Sequence, residues 1–436
     1  MSYVESKQST LLMFTLAFLA LIGVMNAVLF NVAFENILYD LSVSTSQVSW
    51  IAVGYSMGIA IGSITYGKLA DHFHLKNLLT IGIILFLIGS VLGFVKQESY
   101  FIIILARLLQ AFGGASFITL SMVSVRKMIR PEKRSTAFAL ISVGVALAIG
   151  MGPLIGGAIT DLFGWPYLFV SMLISIIALG PILKVMPLED KINEKFSFDF
   201  TGAFLLFGVI ASLLLGANIT VMFFILFAIF FLLFGLWISR AKKPFIHQNL
   251  FKNTKFMKAI TVGFITNGAV MTNMFLIPLL LGIEYDITTS LIGLIFFIAS
   301  IFSIISSLTA GKILPQQGSK KVIYTSSTIM LLSFLILGVF PDLNIILITF
   351  MILLIFIAFS AIQVGLNTLV PQTLISNETG VGLGVYNLMN NVGMALGPAA
   401  ASAILEQTQS YSLNFVLIAL LIIGNIILIA GFSKDK

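Results

Sequence analysis

Two carboxylates, Glu35 and Asp40, stand near the end of the first long apolar run, in the stretch FNVAFENILYDLSV at 30–43. Charged residues make up only 9% of the 436, so acids at that place ask for a physical reason. A carboxylate held partly out of water can take up and release a proton near neutral pH, because desolvation disfavours the charged form and raises its pKa above about 4.3. A nearby cation opposes that rise. Arg107 is the basic residue that falls inside an apolar run, and Gln110, three positions on, shares its helical face. Such a guanidinium either snorkels to the interface or turns to an interior cavity, where it tunes a carboxylate. For Glu35 and Asp40 the alternative is equally simple: interfacial acids solvated by outside water.

Further along, Asn387, Asn390 and Asn391 fall at i, i+3 and i+4 on one helical face. Asn267, Asn273, Gln363 and Asn367 add uncharged polar groups inside apolar runs. Interhelical hydrogen bonding accounts for such residues, and a polar cavity wall is the other reading. Other chemistries are poorly served. There is no cysteine, which excludes disulfides, thiol catalysis and Cys-ligated metals, and only three histidines occur. No Walker sequence and no catalytic pair is evident, so neither direct ATP drive nor an enzyme is expected, and no metal or cofactor is implied.

The elements that must position these groups are membrane spans. The chain is 59% hydrophobic with mean hydropathy +1.09, whereas soluble domains are about 45–50% apolar and about 25% charged. Apolar runs near 20 residues recur from end to end. They predict an all-α integral membrane protein with fourteen spans, at about 11–34, 48–69, 77–95, 100–127, 136–161, 166–186, 199–216, 219–239, 256–282, 290–313, 321–340, 344–370, 379–404 and 411–432. The middle pair rests on a turn at Gly216-Ala217-Asn218 that divides an overlong run. With the N-terminus inside, 22 of the 24 Lys and Arg residues fall on the cytoplasmic side, leaving Lys96 outside and Arg107 within a span. Both termini are therefore expected in the cytoplasm. The net charge of +7 is topological and calls for no nucleic-acid partner.

Two unlike motifs repeat at nearly one offset. GKLADHFHLKNLL begins at Gly67 and GKILPQQGSKKVI at Gly311, while Gly152-Pro153 returns as Gly397-Pro398. Homologous halves follow. The layout is six spans at 1–190, two additional spans and a linker at 191–245, and six spans at 246–436. The halves are not chemically equivalent, since Arg107 maps to Met351 and Asp71 to Pro315.

Three motifs make the resemblance specific. The loop motif G-x-L-a-D-r-x-G-r-k reads Gly67, Leu69, Asp71 and Lys76, with His72 and His74 at two departures. R-x-x-Q-G-x-G reads Arg107, Gln110 and Gly113, with Ala111 at its first glycine. G-x-x-x-G-P-x-x-G-G reads Gly152, Pro153, Gly156 and Gly157, with Ala148 at its first glycine. On these the chain resembles the major facilitator superfamily, fourteen-span drug:proton antiporter branch, and is similar to Gram-positive tetracycline and multidrug efflux proteins.

The resemblance implies a monomeric exporter in the cell membrane, driven by the proton gradient, that moves small amphipathic drugs, neutral or monocationic, by alternating access. It implies a cytoplasmic gate in which Asp71 engages a helix N-terminus or a loop cation such as Arg134. The Gly152-Pro153-Gly156-Gly157 segment would be a flexible seam; plain close helix packing is the other account of it. Asn26, Asn31 and Gln110, with Asn387, Asn390 and Asn391, are expected at a substrate cavity. The family's first span usually carries an aspartate where Asn26 stands and a proline where Glu35 stands, which points to Glu35, ahead of Asp40, as a relocated proton site tuned by Arg107. A tetracycline–metal exporter, a lipid flippase and a non-transporting membrane sensor remain alternatives.

Overall fold

The computed structural model describes residues 6–43, 45–187, 199–218, 222–241, 246, 248–287, 289–340, 344–375 and 378–431. The side chains of Asn31 and Glu35 lie outside the described residues. The described elements are helical throughout. The long ones are α1 (Ser6–Leu29), α2 (Thr45–Ala70), α3 (Leu75–Val95), α4 (Tyr100–Met128), α5 (Pro131–Phe163), α6 (Tyr167–Val185, with a 3-10 stretch Met172–Ala178), α7 (Phe200–Asn218) and α8 (Phe223–Arg240). They continue as α9 (Thr254–Ile283), α10 (Thr289–Gln317), α11 (Ser319–Val339), α12 (Ile345–Gln372), α13 (Thr379–Thr408) and α14 (Tyr411–Ala430).

Local chemistry sets several of the boundaries. Pro131 opens α5 at a position where a missing N–H costs nothing. Asn253, Asn344 and Ser410 accept from Phe256, Leu347 and Leu413 N–H, capping α9, α12 and α14. Beyond α1 the chain passes through a single 3-10 turn, Phe30–Ala33, into a short helix, Phe34–Leu41. With no proline at position 35, this short helix carries the chain on to Asp40.

Among the described residues twelve helices are long and apolar enough to cross a membrane. The fourteen-span count is therefore not established, since α2 and α7 fall outside the twelve. Helix α7 is 19 residues long, about 28 Å at 1.5 Å per residue, against a hydrocarbon core of about 30 Å.

The packing repeats itself. In the first half α1 packs on α5, α2 on α4, and α3 on both α4 and α6. In the second half α9 packs on α13, α10 on α12, and α11 on both α12 and α14. The halves join along two equivalent seams, α2 with α13 and α5 with α10. The α7–α8 pair lies outside this arrangement: α7 rests against both α2 and α13, and α8 is largely exposed.

Candidate solute cavity and the interlock beneath it

Between the halves lies a cavity of about 330 Å³. Its first-half wall is mainly apolar, from Val24, Ala27 and Val28 of α1, Ile59 of α2, Met122 of α4 and Ile141, Val145 and Ile149 of α5. Its second-half wall is amide-rich, from Asn267 of α9, Gln363 and Asn367 of α12, and Asn387, Asn390 and Asn391 of α13. Among the described residues no charged side chain lines it. Phe359, Met271 and Met394 add large, adaptable apolar surface.

The amides are held in a network. Gln363 Nε2 donates to Asn267 Oδ1 at 2.9 Å, and Tyr386 OH reaches Gln363 Oε1 and Asn367 Oδ1, each at 3.2 Å. Asn367 Nδ2 donates across the cavity boundary to Ser142 Oγ of α5, and Asn387 Nδ2 to Thr119 Oγ1 of α4. These last two bonds join the halves. Asn390 Oδ1 is buried without a hydrogen-bond partner while its residue faces the cavity. That oxygen is turned against Gly263 of α9, where it would lie 2.5 Å from an added Cβ.

Arg107 sits behind the opposite wall. It is 1% exposed. Its Nη1 donates to Asn26 Oδ1 at 3.0 Å and to Gln110 Oε1 at 3.1 Å, and its Nη2 to the Asn26 carbonyl at 3.2 Å. Gln110 is anchored in turn by donating to Ser90 Oγ at 2.8 Å. The guanidinium lies between two rings, 4.1 Å from the Phe30 centroid and 4.2 Å from that of Tyr55. Tyr55 OH donates to the Gly23 carbonyl, and both residues line the cavity. The expectation for this group needs correcting: Arg107 neither snorkels nor faces the cavity, and among the described residues no carboxylate pairs with it. Asn26 and Gln110 are likewise not cavity walls, because their side chains are spent on the guanidinium. Asp40 is exposed and accepts from Trp165 Nε1 at 2.7 Å, which ties the short helix Phe34–Leu41 to the α5–α6 loop, away from the cavity. Nothing is described of the side chains of Glu35 and Asn31.

Below the cavity, at the end of the bundle that carries Asp71, the α2–α13 seam is closed. Asp71 Oδ1 accepts from Gly380 N–H at 3.0 Å and Oδ2 from Val381 N–H at 3.2 Å. It thereby caps the first turn of a helix in the other half, where N–H groups have no partner within the helix. Lys127 Nζ stands 4.0 Å away while donating to the Ala70 carbonyl. Burial pushes the Asp71 carboxyl up to about 6; Lys127 and the two backbone donors oppose this, and Glu378 adds to it. Arg134 takes no part in this contact. Its Nε donates to the Ile129 carbonyl in its own loop, so the cation beside Asp71 is Lys127. Lys76 caps the end of α6 instead, donating to the Leu183 carbonyl.

Glycines make the seam possible. A Cβ on Gly67 or Gly380 would overlap the other's carbonyl, and one on Gly384 would lie 2.7 Å from the Ser63 carbonyl. The obstacles are backbone, which cannot move aside. In α5, a Cβ on Gly152 would strike Val28 of α1, whereas one on Gly157 would meet nothing. Gly156 is buried, and Pro153 stays inside one continuous helix. The expected glycine cluster therefore divides, with Gly152 at a close contact and Gly157 at none.

The match with known proteins covers this whole architecture. The family model described as Major Facilitator Superfamily matches residues 16–398, with a second match at 259–435. The chain belongs to that superfamily. It is 25% identical over 412 residues to Multidrug resistance protein 3 of Bacillus subtilis (strain 168), covering 90% of this chain and 79% of that protein. It is 24% identical over 416 residues to Riboflavin transporter RibZ of Clostridioides difficile (strain 630), covering 94% and 91%. In fold it is similar to a bacterial homologue of the iron transporter ferroportin, with a TM-score of 0.68, 13% identity, and coverage of 98% of this chain and 99% of that one. The facilitator is thus a multi-pass transporter, of a family whose members generally carry solutes rather than catalyse reactions.

Sequence reasoning missed Tyr55, Phe30, Tyr386, Ser142, Gly380 and Gly384. The glycines alone left a signal, as Gly380, Gly382 and Gly384 alternate at the head of a span. The aromatic residues left none, because a Tyr or Phe in an apolar run looks like any other packing residue.

Proposed function

We propose that this facilitator is a proton-coupled exporter of small amphipathic molecules, working as a monomer in the cell membrane with both termini in the cytoplasm. The observation that carries the reading is the two-faced cavity between the halves, lying above a seam locked by Asp71. In alternating access such a seam opens on one side as the other closes around the solute. The apolar wall with Met and Phe suits varied hydrophobic surfaces, and the relative named for multidrug resistance supports export of several compounds. Glu35, ahead of Asp40, is the proposed proton carrier, because it is the acid that directly follows the first apolar run.

One observation favours a second, narrower reading. The amide wall is an ordered hydrogen-bond network, and a fixed network selects for a matching edge. A relative named as a riboflavin transporter supports a carrier of one hydrogen-bonding solute. A tetracycline–metal complex, a lipid headgroup or mere sensing are further outcomes that the same assay separates.

The test is transport by purified protein in liposomes with an imposed pH gradient, for a panel of amphipathic drugs, a flavin, tetracycline with divalent metal and a labelled lipid. Uphill movement of several drugs, abolished in Glu35→Gln, is the expected result. Movement of the flavin alone selects the narrow reading, and movement of none under either gradient polarity refutes transport.

A further inference from the structure

We propose that the cavity discriminates by charge sign, accepting neutral and anionic solutes and rejecting cations, and that Arg107 behind Tyr55 is the residue that sets this preference. The inference rests on the reading that the central cavity is the solute site. It narrows the solutes expected from sequence, neutral or monocationic, to exclude the cationic class.

Three observations carry it. Every described partner of the Arg107 guanidinium is neutral: two amide oxygens, one backbone carbonyl and two aromatic faces. Such partners stabilise a buried cation through dipoles and ring quadrupoles but leave its unit charge uncancelled. The charge stands one ring behind the cavity, because Tyr55 contacts it on one side and lines the cavity on the other. Finally, among the described residues the cavity wall carries no acid that would compensate a cationic solute.

At an effective dielectric constant of about 20, a unit charge about 10 Å from the guanidinium feels an interaction worth a factor of about ten or more in affinity, unfavourable for a cation and favourable for an anion. A cation also gives up water in the cavity without gaining a counter-ion. Neutral solutes escape both costs, and the amides on the other wall meet their polar edge.

Asn26 supplies the means to test this. Its Oδ1 already accepts from Arg107, so a carboxylate of the same shape would cancel the charge in place. The experiment is equilibrium binding, in nanodiscs and without a pH gradient, of three probes built on one fluorescent aromatic scaffold. They carry a carboxamide, a carboxylate or a trimethylammonium group. Wild type is expected to bind the carboxamide and carboxylate probes and to bind the ammonium probe about tenfold or more weakly. Asn26→Asp is expected to close that gap by about tenfold, chiefly by improving ammonium binding. Arg107→Gln is expected to move the ratio the same way, and Glu35→Gln to leave it unchanged. Ammonium binding equal to carboxamide binding in wild type overturns the proposal. So does an unchanged ratio in a folded Asn26→Asp protein, or a shifted ratio in Glu35→Gln, which would make Glu35 the counter-charge. If no probe binds, or if probes bind but are not displaced by bulky substitution at Ala146, the cavity reading falls and takes this inference with it.

Discussion

The two seams that join the halves are related by the internal duplication, yet they are built differently. At the α2–α13 seam, Gly67, Gly380 and Gly384 bring backbone against backbone, and Asp71 caps the opposing helix. At the α5–α10 seam, Gly311 faces the Ala139 side chain and Gly150 the Ser300 side chain. There, Pro315 occupies the position equivalent to Asp71. One seam is a backbone-on-backbone contact with a charged interlock; the other is closed by the Cβ atoms of small side chains and carries no charge at the equivalent position. Duplication supplied two similar surfaces, and only one acquired a titratable lock.

The sharpest way to break this comparison is bulk. Gly67→Leu places a side chain where only the Gly380 carbonyl fits, so the interlock should fail to close, with transport falling about tenfold or more. Gly311→Leu, the equivalent change in the other seam, meets the Ala139 Cβ and leaves the Asp71 cap in place, so the interlock itself should still close. Distances between spin labels placed across each seam would check both, and equal effects would remove the distinction.

Next in size is pH. The Asp71 carboxyl is pushed up to about 6 in the closed seam, from an ordinary value of 3.8. If opening returns it to water, the closed form holds a proton that the open form releases between those values. Closing is therefore favoured as pH falls through about 6 and is weakened as pH rises through it. The closed population, read by the same labels, should be about tenfold more favoured at pH 5 than at pH 7. Asp71→Asn should abolish that dependence, and its survival would assign the titration to another group.

Asp71→Ala is a smaller perturbation at constant pH. It leaves the Gly380 and Val381 N–H groups without their acceptor, at a cost of about 1–2 kcal/mol to the closed seam. The label distances should show the open form enriched by about fivefold or more. The smallest expected effect is Gly157→Ala: a Cβ there meets nothing within 4 Å, so transport should stay within about twofold of wild type. Gly152→Ala, which meets Val28, should be the more harmful of the two.

The helices, the repeat and the loop acid were legible because each leaves a local mark. Apolar runs of span length, Gly67 against Gly311, and Asp71 beside a basic loop can all be read along one segment. The fourteen-span count went beyond what the described helices support, since twelve of them are long and apolar enough to cross a membrane. Partners were less legible. Asp71 could be matched to a helix N-terminus or to Arg134, and the choice of Gly380 and Val381, more than 300 residues away, came from packing. Arg107 invited a carboxylate because a lone buried cation is expensive, yet its partners among the described residues are two rings and three neutral oxygens.

The sequence by itself determined that the chain is a helical membrane protein with repeated halves, since hydropathy, repeat offset and short motifs are properties of consecutive residues. It also determined that Asn, and not an acid, stands at position 26. Tertiary structure alone decided what that substitution means. Only the approach of α1, α2 and α4 brings Asn26, Phe30 and Tyr55 around Arg107, and only the meeting of the halves sets an apolar wall opposite an amide wall. Hydrogen bonds and steric contacts act over a few ångströms of space, and separation along the chain carries no record of that distance.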